Sequence, residues 1–209
     1  MDLHYIDGSP FARVLRVLLR EHALPVTLHE ITAFPPPPDL MALNPMGHVP
    51  VLIRDGVARF PTQIAITTLL SGVTSATVAT AIARPAQALD DEQTLAVIFA
   101  MGDALVAHHY LDWAGYGPVT RNRLGFSPPG RNMLRVTTTL DWLEARIGAD
   151  GFQPGILSVQ DIALACLLLW AESRGPIAWR GRPKIEALVA RLRTRPSFSA
   201  TEPRPHQLD

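Results

Sequence analysis

The chain has 209 residues, enough for one large domain or two small ones, each with its own core. Hydrophobic residues are 47% and charged residues 18%, which excludes a disordered chain, and the 19 basic residues balance the 19 acidic ones, so no global field draws the protein to nucleic acid or anionic lipid. A single cysteine, Cys166, rules out a disulfide within the chain, and the seven histidines have no metal-ligand spacing. No basic, apolar leader opens the sequence, and its longest unbroken apolar run, Ile162 to Ala171, is too short for a bilayer. A cytoplasmic protein without metal, membrane or nucleic-acid partner is expected.

Leu3 to Ile6 suits a short strand, broken by Asp7-Gly8. Ser9-Pro10 reads as a helix start, with serine at the N-cap and proline at the first helical position. Val14, Leu15, Leu18 and Leu19 make the helical stripe, and Pro25 is expected to end it. Val26 to Ile31 alternates like a half-buried strand. Strand, helix and strand this close together form a βαβ unit, whose strands run parallel. Pro35 to Pro38 predicts an exposed polyproline-like loop. Val51 to Ile53 and Val57 to Phe60 flank Asp55-Gly56, a tight-hairpin signal. Pro61-Thr62 then starts a helix through Ile64, Ala65, Leu69 and Leu70 to Gly72.

Residues 74–87, rich in Ala and Thr, are expected to link this region, 1–73, to a second one, 88–209. The pattern there is helical. Asp90 to Leu111 is one long segment, and Gly115 to Gly130 a connection. Asn132 to Ile147 carries Leu134, Leu140, Leu143 and Ile147 on a stripe. Ser158 to Glu172 follows, and Arg182 to Thr194 closes. Ser158 and Asp161 have capping-box spacing, with Asp in place of the usual Glu or Gln. The helix they open is apolar on every side, which predicts the middle of a bundle, with Cys166 as a small buried hydrophobe.

The β-α-β, β-β-α order, with Val49-Pro50 ahead of the third strand, resembles the thioredoxin fold. Ser9-Pro10-Phe11-Ala12-Arg13 resembles the Ser-Pro-Phe segment of serine-type glutathione transferases. Asn44-Pro45-Met46-Gly47-His48-Val49-Pro50-Val51-Leu52 resembles their Asn-Pro-x-Gly-Lys-Val-Pro-x-Leu segment. Phe60 to Ile66 stands where the family has Leu-x-Glu-Ser-x-Ala-Ile. Ser158 to Asp161 and Arg195-Pro196-Ser197-Phe198 resemble its C-terminal capping box and ending. The Ala-rich helices and the Trp179-Arg180 region look most like bacterial stand-alone members of unassigned substrate. The resemblance implies an α/β thioredoxin-like N-terminal domain, an all-α C-terminal domain, and a homodimer. It also implies glutathione as co-substrate, with no permanently bound cofactor.

Such an enzyme keeps the glutathione sulfur as thiolate, which is the nucleophile. Ser9 as hydrogen-bond donor to it would contribute about 1.5–3 kcal/mol, and the N-terminus of the first helix about 0.3–1 kcal/mol. At about 1.36 kcal/mol per unit, these lower the thiol pKa by roughly 1–3 units. The alternative is that Ser9 only caps its helix. By the same resemblance, Phe11 belongs to the glutathione site. A cis Val49-Pro50 bond is expected, which would turn the Val49 N–H and C=O to the cysteinyl part of the peptide. The N–H groups at Thr62 and Gln63 suit the γ-glutamyl carboxylate, although Thr62 reads equally as an N-cap. His48 stands where the family often has Lys for the glycyl carboxylate. Thr62, Gln63 and His48 depart from the family's pattern and imply weak binding. His108, Tyr110 and Trp113, with His109 and Tyr116, form either an aromatic wall for an apolar electrophile or ordinary core packing. Asp103 is a further candidate, reaching a partner subunit's ligand. The competing activity is a binding module on the same fold without turnover.

Overall fold

A computed structural model describes residues 1–32, 35, 37–71, 88–116, 125, 127–175 and 179–204. The chain divides into two compact units: Met1–Ala79 with Leu192–Asp209, and Thr80–Arg191. The expected linker at 74–87 and Gly72, the expected stop of the last helix before it, lie outside the described residues.

The first unit is thioredoxin-like. Its strands are β1 (Asp2–Tyr5), β2 (Thr27–Glu30), β3 (Val51–Arg54) and β4 (Val57–Arg59), and its main helices are α1 (Pro10–Glu21), α2 (Pro38–Leu43) and α3 (Thr62–Leu70). The four-stranded sheet has the order β2-β1-β3-β4. β1 pairs parallel to β2, as a βαβ unit requires, and antiparallel to β3, while β3 and β4 form the hairpin. Asp55 and Gly56 both have positive φ, 53° and 74°, the conformation a two-residue hairpin turn needs. Leu3, Val51 and Leu52 from the sheet and Val14, Leu15 and Leu18 of α1 are fully buried and belong to the core.

Four local expectations are corrected. Pro25 does not end α1: the helix stops at Glu21 in a Schellman motif closed by Ala23 at φ 49°, with Ala23 N–H donating to Arg20 O and Leu24 N–H to Leu19 O. β2 is not half-buried: all four of its residues are exposed, because it is the sheet's edge. Pro38 is not loop but the first residue of α2, a position where the N–H that proline lacks has no intrahelical acceptor. Thr62 is not an N-cap: Pro61 holds that position, and Thr62 is the first helical residue of α3.

The second unit is helical: α4 (Ala88–Trp113), α5 (Pro128–Glu144), α6 (Val159–Arg174) and α7 (Pro183–Arg193). α4 packs on α5 and α6. From Leu89 to Trp113 it has the length and mean hydropathy, 1.3, of a bilayer span, a property that core helices share, and it carries Asp90, Asp91, Glu92 and Asp103. α5 begins earlier than its pattern implied, capped by Ser127. Its buried face is Val136, Leu140 and Leu143, whereas Leu134, expected on the stripe, is exposed. α6 is buried all round from Val159 to Ala171, Cys166 included. Its capping box is complete, with Asp161 N–H donating to Ser158 Oγ and Ser158 N–H to Asp161 Oδ2.

The final stretch of chain belongs with the first unit. There α8 (Pro196–Ser199) packs on α1. The buried Arg13 guanidinium on α1 donates to Phe198 O at 3.1 Å.

Candidate functional site

Strand register brings distant segments together. Val51 of β3 lies opposite His4 of β1, and Leu52 lies opposite Arg59 of β4. Both pairings are antiparallel. The end of β1, the start of β3 and the end of β4 therefore lie at the same end of the sheet. The segments that leave or enter there carry Ser9, His48-Val49-Pro50 and Thr62-Gln63.

Ser9 ends a tight turn. Its N–H donates to Ile6 O at 3.0 Å, and its own carbonyl takes the first helical bond, from Arg13 N–H. The backbone is extended (φ −83°, ψ 118°), and Oγ accepts from Ala12 N–H at 3.2 Å. This cap uses a lone pair of the hydroxyl and leaves the O–H proton available to donate. The two roles considered for Ser9 are therefore compatible. Phe11 lies half-buried in the first turn of α1.

Asn44 shapes the loop ahead of β3. It is buried, its Nδ2 donates to His48 O at 2.8 Å, and its Oδ1 accepts from Met46 N–H at 3.0 Å. Gly47 has φ 62°, and a Cβ there would stand 2.5 Å from Met41 Sδ. The Asn-Pro-x-Gly spacing is thus a loop device that fixes the approach to Val49. The Val49–Pro50 bond is cis, Pro50 is buried, and His48 is exposed. At α3 no side chain caps the helix, and the first intrahelical donor is Ala65, bonded to Pro61 O at 3.1 Å. The N–H groups of Thr62, Gln63 and Ile64 precede it and are the natural seat for an anion.

In the second unit, the end of α4 carries a set of aromatic rings. His109 meets the Trp170 ring edge-on at 5.4 Å and stacks near Trp113 at 6.3 Å, and Tyr110 lies 6.2 Å from Trp113. Tyr110, Trp113 and Tyr116 are about half exposed, so core packing does not account for these three. His108 is half-buried beside them, and Asp103 is exposed.

A polar cluster behind Ser9 was not legible in the sequence. Asp7, in the turn that ends at Ser9, binds Arg16 at 2.9 Å through Oδ1 and the Arg204 N–H at 2.8 Å through Oδ2. The Arg16 guanidinium lies over the Tyr5 ring, and Arg204 also pairs with Glu30. Burial works to raise the Asp7 carboxyl, but the Arg204 N–H and the Arg16 charge outweigh it and hold it below its ordinary value. No local signal could reveal a bond to a residue at the far end of the chain. Among the described residues, no cluster of His, Cys, Asp and Glu could hold a metal ion.

Residues 3–62 match the family model for the glutathione S-transferase N-terminal domain. The N-terminal domain belongs to the glutathione S-transferase family. No curated protein matches the sequence. Among solved structures, a glutathione S-transferase from Methylobacillus flagellatus KT with glutathione bound has 23% identity and a TM-score of 0.82, over 97% of this chain and 99% of that one. A glutathione transferase family member from Pseudomonas fluorescens Pf-5, also with bound glutathione, has 23% identity and a TM-score of 0.82, over 97% and 98%. A glutathione S-transferase from Methylobacterium radiotolerans JCM 2831, in complex with glutathione sulfonate, has 22% identity and a TM-score of 0.79, over 100% and 97%. At these identities the likeness establishes a shared fold: both units follow the glutathione S-transferase architecture.

Proposed function

We propose that the protein binds glutathione at this shared end of the sheet and transfers its thiolate to a small apolar electrophile. The observation that carries this reading is the Ser9 geometry: a hydroxyl at the positive end of α1, with its proton available, at the end of the sheet that the Val49 and Thr62 segments also adjoin. Ser9 O–H donates to the glutathione sulfur and favours the thiolate. Val49 offers its backbone N–H and C=O to the cysteinyl part, as an added strand would take them. The first N–H groups of α3, at Thr62 and Gln63, receive the γ-glutamyl carboxylate, and His48 faces the glycyl carboxylate. Phe11 lines the site. The thiol proton leaves to solvent. The sulfur lone pair forms the new C–S bond as a leaving group departs with its electron pair, or as the pair of an activated double bond shifts away.

The serine-type assignment rests on the Ser9 cap, and the electrophile's apolar character on the exposed aromatics of α4, with His108, Tyr110 and Trp113 as its wall. We assign a homodimer in the cytoplasm as the working state.

Thr62, Gln63 and His48 supply no carboxylate for the γ-glutamyl ammonium and no lysine for the glycyl carboxylate. Binding is therefore weak, with a Kd of about 0.1 to several mM, or roughly 3–5.5 kcal/mol. Calorimetric titration with glutathione measures this directly. No heat and no chemical-shift change near saturating millimolar ligand overturns the site. The same altered residues favour a second reading, a ligand- or partner-binding module without turnover. Measurable glutathione binding with no turnover of any reactive aromatic halide or enone selects the module over the transferase.

A further inference from the structure

The last described residues of the chain run along α1 as a strap. At the C-terminal end of α1, the Glu21 carboxylate accepts from both Arg195 Nε, at 2.8 Å, and Arg195 Nη2, at 2.6 Å, and from the Ser197 hydroxyl. Further along the helix, the buried Arg13 guanidinium donates to Phe198 O, and its Nε approaches Thr201 Oγ1 at 3.5 Å. Beyond the N-terminal end of α1, Arg204 reaches Asp7 through its backbone N–H, at 2.8 Å, and its guanidinium, at 3.3 Å. As the tail advances from Arg195 to Arg204, its partners retreat from Glu21 through Arg13 to Asp7. The strap therefore runs antiparallel to the helix over about 18 Å and ends two residues before Ser9.

Asp7 is the second residue of the turn Ile6-Asp7-Gly8-Ser9, which the Ser9 N–H to Ile6 O bond closes. Its carboxylate is clamped on both oxygens, by Arg16 from within α1 and by Arg204 from the tail. Glu30, at the end of β2, holds Arg204 from the other side, and Tyr5 OH donates to Glu30 at 3.3 Å. A turn held only at its ends can rotate about Asp7-Gly8. One whose central side chain is tied to a helix and to a strap cannot do so without breaking a charge-assisted hydrogen bond.

We propose that Asp7 and Arg204 are positioning residues for Ser9: the strap's last link orients the turn that presents the Ser9 hydroxyl, so that the end of the chain tunes thiolate formation at its beginning. This rests on the reading of Ser9 as the thiol's hydrogen-bond donor. The held-down carboxyl of Asp7 fits the assignment, since it stays ionised and paired throughout the neutral range.

The test uses the full-length chain with Arg204→Gln, which removes the charge from a largely exposed side chain, together with Arg204→Lys and Ser9→Gly. Amide hydrogen exchange at Ser9, measured without ligand, should quicken about 5- to 10-fold in Arg204→Gln, while Leu15 and Leu18 in mid-helix keep the wild-type rate. The bound glutathione thiol's pKa, read from thiolate absorbance against pH, should rise by about half to one unit, a 3- to 10-fold loss of thiolate below that pKa. kcat below the thiol pKa should fall with it, KM for glutathione should hold within about twofold, and Arg204→Lys should recover part of both effects. Arg204→Gln keeps the backbone N–H on Asp7, a contact that Asp7→Ala removes as well; unchanged exchange at Ser9 in both variants overturns the proposal whatever Ser9→Gly does. Faster exchange with an unchanged thiol pKa, when Ser9→Gly does shift it, overturns the coupling to chemistry and leaves Ser9 its role. If Ser9→Gly leaves the thiol pKa unchanged as well, the Ser9 reading itself falls, and the positioning role falls with it.

Discussion

Two serines cap two helices in the same local way and end in opposite circumstances. Ser158 opens α6. It is fully buried, its hydroxyl accepts from Asp161 N–H, and Asp161 answers by accepting from Ser158 N–H and from Phe152 N–H at 3.0 Å. Ser9 opens α1, and its hydroxyl accepts from Ala12 N–H, but alanine has nothing with which to answer. The Ser9 N–H goes instead to Ile6 O, and the carboxylate behind it, Asp7, is turned toward two arginines. A completed box makes a closed, structural helix start, whereas a half-box at the end of the sheet leaves a hydroxyl proton and the positive end of a helix available. The N3 residue, Asp in one case and Ala in the other, separates the two outcomes.

The largest break in this comparison is expected at the closed box. Asp161→Ala leaves the N–H groups of Phe152 and Ser158 without their acceptor, each worth about 1–3 kcal/mol when buried. Urea unfolding should show a loss of about 2–4 kcal/mol. Gly151→Ala attacks the same carboxylate from outside: a Cβ there would lie 2.5 Å from Asp161 Oδ1, on a backbone at φ 126°. It should cost about 1–3 kcal/mol. A loss below half a kcal/mol in both variants would make the box ornamental.

At the open cap the effect should fall on chemistry more than on stability. Ser9→Ala should raise the bound thiol's pKa by about one to two units and lower turnover at mildly acid pH about 10- to 100-fold. The lost cap should cost about 0.5–2 kcal/mol, and Ser9→Gly only a few tenths. Equal turnover in wild type and Ser9→Gly would reduce Ser9 to a cap like Ser158.

A smaller effect is expected at α3. Thr62→Glu with Gln63→Ser restores the groups that the family places there and should tighten glutathione about 3- to 10-fold by calorimetry. Weaker binding by the double variant would misplace the γ-glutamyl contact.

The smallest effect concerns the carboxylates behind the two serines, which titrate in opposite senses. Asp7 is held below the ordinary value near 3.9. The stability it contributes is fully present above that value and is lost as pH falls through the folded one. Burial raises the Asp161 carboxyl above its ordinary value, against the N–H groups of Ser158 and Phe152. Its ionised form therefore weighs on the fold at neutral pH, and this is relieved as pH falls through its folded value toward the unfolded one. Between neutral pH and about pH 3, Asp7→Asn should flatten the acid loss of stability and Asp161→Asn should steepen it, as read from urea midpoints against pH. The same slope change in both variants would contradict the opposed shifts.

Much of the fold was legible because its signals are local. The Ser9-Pro10 and Ser158-x-x-Asp161 caps, the Asp55-Gly56 hairpin and the all-apolar α6 each depend on residues within one turn or strand of each other, and each stands where its pattern put it. The Asn-Pro-x-Gly-His-Val-Pro segment was legible as a unit, while the bonds by which the buried Asn44 organises it became visible only in the structure. The misreadings share one cause. At Pro25, β2 and Thr62 the residue types point one way, whereas a Schellman closure at Ala23, an edge position and a preceding proline decide the outcome.

By itself, then, the sequence determined where helices begin, which turn joins β3 to β4, and which segment carries the candidate thiol contact, because hydrogen bonds across three or four residues and period-3.6 burial leave their record in adjacent positions. Only the tertiary structure decided that the segments around Ser9, Val49 and Thr62 adjoin one end of the sheet, and that Arg204 closes on Asp7. Strand register and an ion pair between opposite ends of the chain depend on the whole packed unit, and no window of the sequence contains both partners.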